Sequence, residues 1–574
     1  MTQQRHLENW PKHLPRHLTV PETTLGYNLD ISALRYPDKA ALIFYDNQIS
    51  YSQLRKEVDA IAGYLQHECG VRKGDRVLLD MQNCPQFIIA YYAIIRAGAV
   101  VVPVSPMNVT DELVHYIADS GAITALIGQE VYRQFRYLIG TKLEHLIVAT
   151  YADYLPGDSD VTVPVFVSEQ RLSESEPGLV TWADALTVGH TPKPQTAQAD
   201  ELAAILYTSG TTGKPKGCMH THRTIMTTLV GAALWEGVTA DSVSLATAPF
   251  FHVTGMQHSM HAPIYAGATV AILPRWDPEI AGYMIERYGC THWANVPTMV
   301  VDLLAHPSTE TRDLSSLQNI FGGGSSMPEA VAQKLYDRCG VRYMEGYGMT
   351  ESISQTHMNP HGDLRKQCLG IPTFDTFSTV IDPETLKELG PNETGEIISS
   401  GPQLMQGYWQ REDANKEAFI AFDGKLFFRT GDLGYYDEDG FFYIADRLKR
   451  MINAAGYKVW PAELEATLYK HPDIKEVAII SSPDERRGET VKAVVVPTEK
   501  AKGTVTADDI VSWSREHMAA YKVPRMIQFV DALPRSGTGK IQWRTLQEQE
   551  WEGDQNEKAD AAPTPKPTKA PKDS

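Results

Sequence analysis

The sequence predicts an α/β fold with a large N-terminal domain of doubly wound sheets, a β-rich subdomain and a small α+β C-terminal domain. Three observations support this prediction. From residue 40 onward, short apolar runs alternate with helical patterns, which is typical of mostly parallel sheets with helices on their faces. After residue 375 the apolar runs have an antiparallel character. From residue 448 a compact mixture of helices and strands follows, which indicates a separate domain.

The first part of the chain shows the alternation directly. The predicted elements are strands at 41–44 and 48–51, a helix at 52–67, a strand at 76–80, a helix at 84–96, and strands at 100–104 and 123–127. Residues 168–199 are polar and contain prolines, which predicts a linker or a surface excursion.

The alternation resumes at residues 202–207, an apolar run that predicts a buried strand, and a helical pattern begins near His222. Asp277-Pro278 predicts a helix start, because Asp is a good cap and Pro suits the first helical position. Further strands are predicted at 243–248, 268–273, 317–321 and 341–345. The last two run into glycine-bearing loops. Since ligands bind at the carboxyl ends of strands in open α/β sheets, we expect three strand ends to direct their loops to one place.

The remaining elements complete the two later regions. Antiparallel strands are predicted at 378–382, 395–400, 426–429 and 441–444, with a turn at Asp437-Glu438-Asp439-Gly440. In the region from residue 448, the predicted elements are a helix at 461–470, strands at 477–481 and 491–496, a helix at 507–518 and a strand at 526–530. Residues 552–574 carry no large apolar side chain. The predicted domains are therefore residues 1–447 and 448–549, with a disordered tail at 550–574.

Composition excludes several classes of protein. The net charge is -18 over 574 residues, which argues against a nucleic-acid-binding surface. Six scattered cysteines form no C-x-x-C pair, which indicates a reducing cytoplasm and no zinc ribbon. Residues 1–16 contain no apolar core and predict no secretory signal. The most apolar stretch, 87–104, is interrupted by Arg96, Gly98 and Pro103, so no membrane-spanning segment is expected.

The loop after the strand at 202–207 is the centre of the predicted site. Its sequence is Thr208-Ser209-Gly210-Thr211-Thr212-Gly213-Lys214-Pro215-Lys216-Gly217. Glycines let backbone N–H groups approach phosphate oxygens, hydroxyls donate hydrogen bonds and lysines add positive charge. The loop is not the common P-loop, because Pro215 stands where that pattern needs its second glycine. It predicts a polyphosphate site; a flexible surface loop is the alternative.

Two further glycine segments follow predicted strands. They are Gly322-Gly323-Gly324-Ser325-Ser326 and Gly346-Tyr347-Gly348-Met349-Thr350-Glu351. The glycines would let a flat ring approach the backbone, and Tyr347 could stack on that ring. Glu351 is a hard oxygen ligand suited to a magnesium ion held by phosphates, although a lone Glu is usually a solvated carboxylate.

Three charged residues have both a binding and a structural interpretation. Asp432 could accept hydrogen bonds from both hydroxyls of a ribose, and Arg447 could do similar work. Alone, each is more often part of a structural ion pair. Lys540 lies in Pro534-Arg535-Ser536-Gly537-Thr538-Gly539-Lys540, a glycine loop in which a lone lysine is usually a solvated charge.

Clustered histidines raise the alternative of a metal site. His220 and His222 flank Thr221, and His252, His258 and His261 lie close in sequence. No nearby Cys, Asp or Glu completes a ligand set, so no zinc site is expected.

Taken together, these motifs resemble the adenylate-forming superfamily, which includes acyl-CoA synthetases, luciferases and the adenylation domains of peptide synthetases. The resemblance covers roughly residues 27–546. Its markers occur in family order at 207–217, 250–255 (Phe250-Phe251-His252-Val253-Thr254-Gly255), 346–352, 429–434, 446–456 and 534–540. Asn83-Cys84-Pro85-Gln86-Phe87 and Arg96-Ala97-Gly98-Ala99-Val100 are similar to bacterial fatty-acyl-CoA synthetases.

The resemblance implies a role for each matching residue and a mobile C-terminal domain. It implies β- and γ-phosphate binding by Thr208, Ser209, Gly210, Thr211, Thr212, Gly213, Lys214 and Lys216. It implies adenine binding by Gly323, Gly324, Ser325, Glu345, Gly346, Tyr347 and Gly348, and a place for Met349 in the ATP site. Thr350 and Glu351 would bind ATP–Mg²⁺, and Asp432 and Arg447 would bind the ribose.

The resemblance also implies catalytic, hinge and pocket residues. The catalytic residues would be Lys540, Thr212, His252 and Glu351, and Lys540 would contact the carboxylate and the α-phosphate. Lys449 would be the hinge, and Gly456, Tyr457 and Lys458 would line the pantetheine tunnel. Phe251, His252, Val253 and Met256 would form the acyl pocket, with His252 at its mouth.

The implied enzyme is an ATP-dependent, AMP-forming ligase that transfers a medium- to long-chain fatty acid to coenzyme A. Residues 250–255 contain no acid that could pair with an amino group, which argues against an amino-acid substrate. Trp235 and Trp293 are expected near other pocket-forming segments. The alternatives are a ligase for an aromatic or branched acid, a luciferase-like oxygenase, and a binding protein that has lost turnover. The expected partners are a small carboxylic acid, ATP, Mg²⁺ and coenzyme A; a transient membrane-surface contact and a homodimer are left open.

Overall fold

The computed structural model describes residues 5–157, 161–174, 176–208, 215–324, 327–447, 450–454, 457–484, 488–535 and 541–560. The chain divides into two units, one formed by Met1–Thr430 with Tyr435–Ile444 and the other by Gly431–Gly434 with Ala445–Ser574. Because the second unit also takes in Gly431–Gly434, the domain bounds given above stay a prediction.

The first part of the chain alternates strands and helices. Its elements are α1 (Gly26–Arg35), β1 (Ala40–Phe44), β2 (Asn47–Ser50), α2 (Tyr51–His67), β3 (Arg76–Asp80), α3 (Pro85–Arg96), β4 (Val100–Pro103), α4 (Thr110–Ser120), β5 (Thr124–Gly128), α5 (Tyr132–Phe135), β6 (His145–Ala149), α6 (Val165–Ser168), β7 (Leu179–Thr181), α7 (Trp182–Val188), β8 (Leu202–Thr208), β9 (Lys216–Thr221) and α8 (His222–Glu236).

The middle part continues this alternation and then becomes β-rich. Its elements are β10 (Val243–Ala246), a π-helical turn (Gly255–His261), α9 (Ala262–Ala266), β11 (Thr269–Ile272), α10 (Pro278–Tyr288), β12 (His292–Asn295), α11 (Pro297–Ala305), β13 (Asn319–Gly322), α12 (Glu329–Cys339), β14 (Tyr343–Met349), a 3₁₀ turn (Thr350–Ser352), β15 (Ser354–Met358), β16 (Ile371–Pro372), β17 (Phe377–Ile381), β18 (Gly395–Ser400), α13 (Glu412–Ala418), β19 (Phe419–Phe422), β20 (Lys425–Tyr436) and β21 (Phe442–Arg447).

Two large sheets carry the predicted parallel architecture. One has the strand order β7-β6-β5-β3-β4-β8-β9, and the other has the order β16-β15-β14-β13-β12-β10-β11-β1-β2. Their central strands pair in parallel, for example β3 with β5 and β12 with β13. Helix α3 is buried along nearly its whole length, as expected for a helix that is apolar on all sides. The Asp277 carboxylate caps α10 by accepting bonds from the N–H groups of Glu279 and Ile280, as predicted.

The β-rich subdomain has the strand order β17-β18-β20-β19, with β21 beside β20. The pairs β17–β18 and β19–β20 are antiparallel, as their sequence patterns predict.

The second unit contains a smaller sheet with helices. Its elements are β22 (Ile452–Ala454), β23 (Tyr457–Val459), α14 (Pro461–Leu468), β24 (Ile474–Asp484), β25 (Gly488–Pro497), α15 (Ala507–His517), β26 (Met526–Phe529) and α16 (Trp543–Asp560). The strand order is β23-β22-β25-β24, with β26 parallel to β25. The predicted α/β class, with a large N-terminal part and a smaller α+β part, is confirmed.

One prediction about local structure is wrong. The stretch 168–199 is not only a surface excursion, because β7 extends the first sheet beside β6 and Trp182 of α7 is buried against the core. The buried Trp182 side chain holds this otherwise polar stretch against the core. In the second unit, α16 continues to Asp560, beyond residue 550 at which the predicted tail begins. The Trp551 indole N–H donates to the Ser481 carbonyl at 3.3 Å, so residue 551 is part of the folded unit. Residues 561–574 lie outside the described part of the chain.

Candidate functional site

The predicted phosphate loop connects two paired strands. Strands β8 and β9 form an antiparallel hairpin in which Thr208 pairs with Lys216. The sequence pattern predicts a loop that leads to the helix at His222; the structure inserts strand β9 before that helix. Ser209, Gly210, Thr211, Thr212, Gly213 and Lys214 lie outside the described residues. The hairpin fixes the two ends of the loop and aligns Thr208 and Lys216 across it.

Lys216, Tyr408 and Glu351 lie together beside this hairpin. The Lys216 ammonium stands 4.1 Å from the centre of the Tyr408 ring. The Tyr408 hydroxyl donates to Glu351 Oε1 at 2.8 Å. Burial, and then the charge of Glu351, raises the pKa of Tyr408, so its hydroxyl stays a donor at physiological pH. The structure therefore places a lysine ammonium against the ring of Tyr408 and a carboxylate at its hydroxyl.

Tyr408 is a residue that the sequence reasoning missed. It belongs to segment 405–409, which runs along the outer edge of β9. The N–H groups of Met219 and Trp409 donate to the carbonyls of Gly407 at 3.0 Å and Gly217 at 2.7 Å. The only local signal is the sequence Gly407-Tyr408-Trp409 between two predicted strands, and nothing in it indicates a partner almost sixty residues away.

The base of the hairpin is also linked to the turn that carries Thr350 and Glu351. His220 of β9 donates from Nε2 to the Thr350 carbonyl at 2.8 Å. Burial lowers the pKa of His220 to about 4, so the ring is neutral and this hydrogen bond fixes its tautomer. The N–H of Met405 donates to the Glu351 carbonyl at 2.8 Å. Thus β9 and segment 405–409 hold the predicted metal-binding residues Thr350 and Glu351 beside the β8–β9 hairpin.

The two predicted adenine segments meet each other. A Cβ atom on Gly323 would lie 2.5 Å from the carbonyl oxygen of Gly346, so only glycine fits at that contact. Residues 346–349 are not a loop, as the glycine pattern predicts, but continue strand β14 and pair antiparallel with β15. Gly348 permits this pairing, because a Cβ there would lie 1.8 Å from the Ser354 carbonyl oxygen. Ser325 lies outside the described residues.

Glu345 is hydrogen-bonded to the backbone that follows one of these segments. Its Oε1 accepts a hydrogen bond from the Met327 N–H at 3.0 Å, and the side chain is largely buried. Burial raises the pKa of Glu345 to about 7, against the effect of its backbone hydrogen bonds. The carboxyl group is therefore directed at the backbone after the Gly323–Gly324 segment.

His252 lies in a turn that Asn83 holds in place. Asn83 Oδ1 accepts from the Phe250 N–H at 2.7 Å, and its amide donates to the Ala248 carbonyl at 2.9 Å. His252 itself is half-buried, and its N–H donates to the Pro249 carbonyl at 3.1 Å. The π-helical turn begins three residues later, a geometry that is frequent at functional sites.

The other predicted acyl-pocket residues surround this turn. Val253 and Met256 are buried and Phe251 is half-buried. The Trp293 indole donates to the Thr247 hydroxyl at 2.9 Å, just before the turn. Trp235 instead packs against Trp10 and Phe374 in a separate aromatic cluster, so the structure does not place it with His252.

The remaining predicted residues belong to the second unit. Asp432 is buried, and Arg447 ends strand β21. Tyr457 and Lys458 lie in strand β23. Lys449, Gly456 and Lys540 lie outside the described residues, so their predicted roles as hinge, tunnel residue and catalytic lysine remain predictions.

Magnesium fits the oxygen donors at the turn. Glu351 offers a carboxylate and Thr350 a hydroxyl, which are hard ligands, and Mg²⁺ commonly takes one or two such groups together with substrate phosphates. Among the residues that the structure describes, no group of three His, Cys, Asp or Glu side chains could hold a metal ion without a substrate. No helix in the same residues is long and apolar enough to cross a membrane.

Comparisons with known proteins identify the family of the chain. A family model described as AMP-binding enzyme matches residues 29–409, and one described as AMP-binding enzyme C-terminal domain matches residues 463–540. A long-chain-fatty-acid–CoA ligase of Bacillus subtilis (strain 168) is 34% identical over 96% of this chain and 99% of its own. A feruloyl-CoA synthase of Amycolatopsis sp is 33% identical over 88% of this chain and 94% of its own. The crystal structure of ATP-bound MatB from Rhodopseudomonas palustris superimposes with a TM-score of 0.80 at 27% identity, covering 92% of this chain and 99% of that one. These matches confirm the resemblance inferred from the motifs: the chain belongs to the AMP-binding, adenylate-forming enzyme family.

Proposed function

We propose that this protein is an AMP-forming acyl-CoA synthetase that activates a medium- to long-chain fatty acid with ATP and transfers it to coenzyme A. The observation that carries the proposal is the arrangement at the hairpin. Lys216, Tyr408 and Glu351 form a continuous series from the phosphate loop to the turn with Thr350. A cation, a hydroxyl donor and a hard anion at one glycine-rich loop suit a polyphosphate with a divalent metal ion.

The first half-reaction follows from this arrangement. A carboxylate is a poor acylating agent, because its leaving group would be oxide. Its oxygen attacks the α-phosphorus of ATP, the bond to the β-phosphate oxygen breaks, and pyrophosphate leaves an acyl-adenylate. The task of the protein is to align the two anions and to stabilise the charge that spreads over the phosphoryl oxygens. Lys216 supplies fixed positive charge near the phosphates.

The metal ion has a limited role in this scheme. When bound, Mg²⁺ neutralises charge on the phosphate oxygens. Glu351 and Thr350 would hold it, and Tyr408 orients the Glu351 carboxylate by donating to one of its oxygens. Lys540 would contact the carboxylate and the α-phosphate, while Asp432 and Arg447 would hold the ribose.

The second half-reaction needs a different arrangement. The thiolate of coenzyme A attacks the acyl carbon of the adenylate, the bond to the AMP oxygen breaks, and AMP leaves. Gly456, Tyr457 and Lys458 would line the pantetheine tunnel after the C-terminal unit turns about Lys449. These roles follow from the family membership of the chain.

The acid is the most specific part of the proposal. The segment around His252 is lined by Phe251, Val253 and Met256, which suits an apolar tail. The Bacillus ligase, whose name specifies long-chain fatty acids, aligns over nearly the whole chain. A second candidate is an aromatic or branched acid, because the feruloyl-CoA synthase is similar to a nearly equal degree.

A substrate panel tests the proposal. Purified protein with ATP, Mg²⁺ and coenzyme A is supplied with fatty acids of increasing length, ferulate, benzoate, branched acids and amino acids, and AMP release is measured. We expect the highest kcat/KM with medium- to long-chain fatty acids. Higher values with ferulate or benzoate would select the second candidate. CoA-independent AMP release, or none with any acid, would contradict a CoA ligase.

Two further properties belong to this proposal. We place the enzyme in the cytoplasm, in keeping with its unpaired cysteines. A homodimer and a transient contact with membrane surfaces remain predictions, which light scattering and vesicle flotation test directly.

A further inference from the structure

The turn that carries Glu351 has an unusual backbone. Ile353 has φ +49° and Ser354 has φ +122°, two consecutive residues in a region that L-amino acids rarely adopt. A β-branched residue such as Ile is especially disfavoured there. Such conformations persist only where the surrounding structure over-determines them, and they cluster at functional sites.

Part of this conformation is fixed within the turn. The Ile353 N–H donates to the Thr350 carbonyl at 3.0 Å. The Ser352 hydroxyl accepts from the Met349 N–H at 3.1 Å and lies 2.7 Å from the Ser354 carbonyl. These bonds close the turn, but they do not reach the Ser354 side chain.

The Ser354 side chain is held by a buried acid–base pair. Its hydroxyl lies 3.0 Å from His258 Nε2, and the Nδ1 atom on the opposite side of that ring is hydrogen-bonded to the Glu236 carboxylate. The side chains of His258 and Glu236 are 5% and 1% exposed. Glu236 comes from the end of α8 and His258 from the π-helical turn, so the His258 ring links α8 to Ser354 of β15.

This pair is costly for the fold. Two groups that can carry charge are removed from water, and the second oxygen of Glu236 has no hydrogen-bond partner among the residues that the structure describes. Glu236 is also the last residue of α8, where the helix dipole disfavours a negative charge. Replacing such a pair with apolar side chains is often neutral or stabilising, so stability alone does not account for it.

We propose that Glu236 and His258 are positioning residues that act through Ser354 to hold residues 350–354 in their strained conformation and so fix the direction of Glu351. His258 is hydrogen-bonded to Ser354, the residue with φ +122°, and Glu236 fixes the orientation of the His258 ring. Together with the His220 bond to Thr350, this restrains both ends of the turn. The inference rests on the proposed role of Glu351 as a ligand of Mg²⁺–ATP.

Two substitutions at one position separate hydrogen bonding from backbone strain. Ser354→Ala removes the bond to His258 and keeps the strain, whereas Ser354→Gly removes the same bond and relieves the strain, because glycine accepts φ +122° freely. In the ligand-free protein, Ser354→Ala is expected to accelerate amide hydrogen exchange in residues 349–355. It is also expected to weaken Mg²⁺–ATP binding, measured by calorimetry, by about tenfold. Ser354→Gly should bind Mg²⁺–ATP more tightly than Ser354→Ala.

A double-mutant cycle tests whether His258 acts through Ser354. His258→Gln should weaken Mg²⁺–ATP binding by about tenfold in the wild-type background and by less than about twofold in the Ser354→Gly background. Tyr92→Phe is the matched control, because it removes a 2.9 Å bond to His261 of the same π-helical turn without touching residues 350–354. It should leave the exchange of residues 349–355 unchanged.

Several outcomes would overturn the inference. Equal binding and exchange in Ser354→Ala and wild type would show that the bond does not hold the turn. Equal effects of His258→Gln in both backgrounds would show that His258 acts elsewhere. If His258→Gln does not fold, the comparison of the two Ser354 variants still decides. Glu351→Gln distinguishes the two levels of proposal: unchanged Mg²⁺ dependence in that variant contradicts the metal role of Glu351, while the exchange measurements still test the positioning role.

Discussion

Tyr408→Phe is the most direct test of the candidate site. The substitution removes one hydroxyl and keeps the aromatic ring that faces Lys216. In the structure, that hydroxyl donates to Glu351 at 2.8 Å, and Tyr408 is buried. A hydrogen bond to a charged group contributes about 1.5–3 kcal/mol net. If Glu351 must be oriented in the transition state, the adenylation rate should fall by about 10- to 100-fold.

A second substitution at the same position measures the contribution of the ring. Tyr408→Leu removes the hydroxyl and also the contact with the Lys216 ammonium at 4.1 Å. A cation–π contact contributes about 0.5–1 kcal/mol at an exposed site. The Leu variant should therefore be a further two- to fivefold slower, roughly, than the Phe variant.

The assay separates the two half-reactions. Rapid quench with ATP, Mg²⁺ and acid gives the rate of acyl-adenylate formation, and supplied acyl-adenylate with coenzyme A gives the rate of thioester formation. Tyr207→Phe is the matched control, because Tyr207 lies on the same hairpin and the substitution removes its 2.8 Å hydroxyl bond to Asp119 of α4. We expect the control to change adenylation by less than about threefold, since it leaves Glu351 untouched. Adenylation by Tyr408→Phe within twofold of wild type would refute the orienting role.

Four other predictions concern the rest of the chain. Lys540→Ala should slow adenylation by about 10²–10³ and spare thioester formation from supplied adenylate; equal loss of both steps would contradict two conformations. Lys449→Pro should spare adenylation and impair thioester formation, because proline fixes φ near -65° at a hinge; the same quench experiment measures both. Burial raises the pKa of Glu345 from 4.5 to about 7, so its folded state holds the proton more tightly and stability should fall as pH rises through this window. Glu345→Gln should flatten that fall in melts at pH 5 and pH 8, and an unchanged slope would place its cause elsewhere. Ending the chain after Asp560 should leave turnover and Tm nearly unchanged, whereas a large drop in either would mean that residues 561–574 dock on the enzyme.

Local sequence patterns predicted most of the strands and helices. Strand β3 has the predicted bounds, Arg76–Asp80, because a short apolar run leads into a polar break. The start of α10 was predictable because the Asp277 cap and Pro278 act within one turn. Where a helix or strand is determined mainly by residues within it, its local sequence is sufficient to predict its bounds.

The missed features depend on contacts between distant residues. Strand β9 reads Lys-Gly-Cys-Met-His-Thr, which has little regular alternation, and it forms because β8 and segment 405–409 pair with its two edges. Residues 346–349 looked like a loop because glycines usually break strands. Here Gly348 allows the close approach of the Ser354 carbonyl. The motifs singled out Lys216 and Glu351 as candidates, but Tyr408, which contacts both, has no motif that specifies its partners.

Segment 405–409 also covers the outer edge of the first sheet. Strand β9 is last in its sheet order, and the unpaired N–H and C=O groups of such a strand can recruit a strand from another molecule. Here Gly407, Trp409 and their neighbours occupy those groups with hydrogen bonds of 2.7–3.0 Å. Gly407 has φ +143°, so a larger residue there would strain the segment and tend to lift it from the strand. The same segment that supplies Tyr408 thus occupies an otherwise unpaired sheet edge beside Lys216, so a substitution in residues 405–409 would affect both that edge and the candidate site.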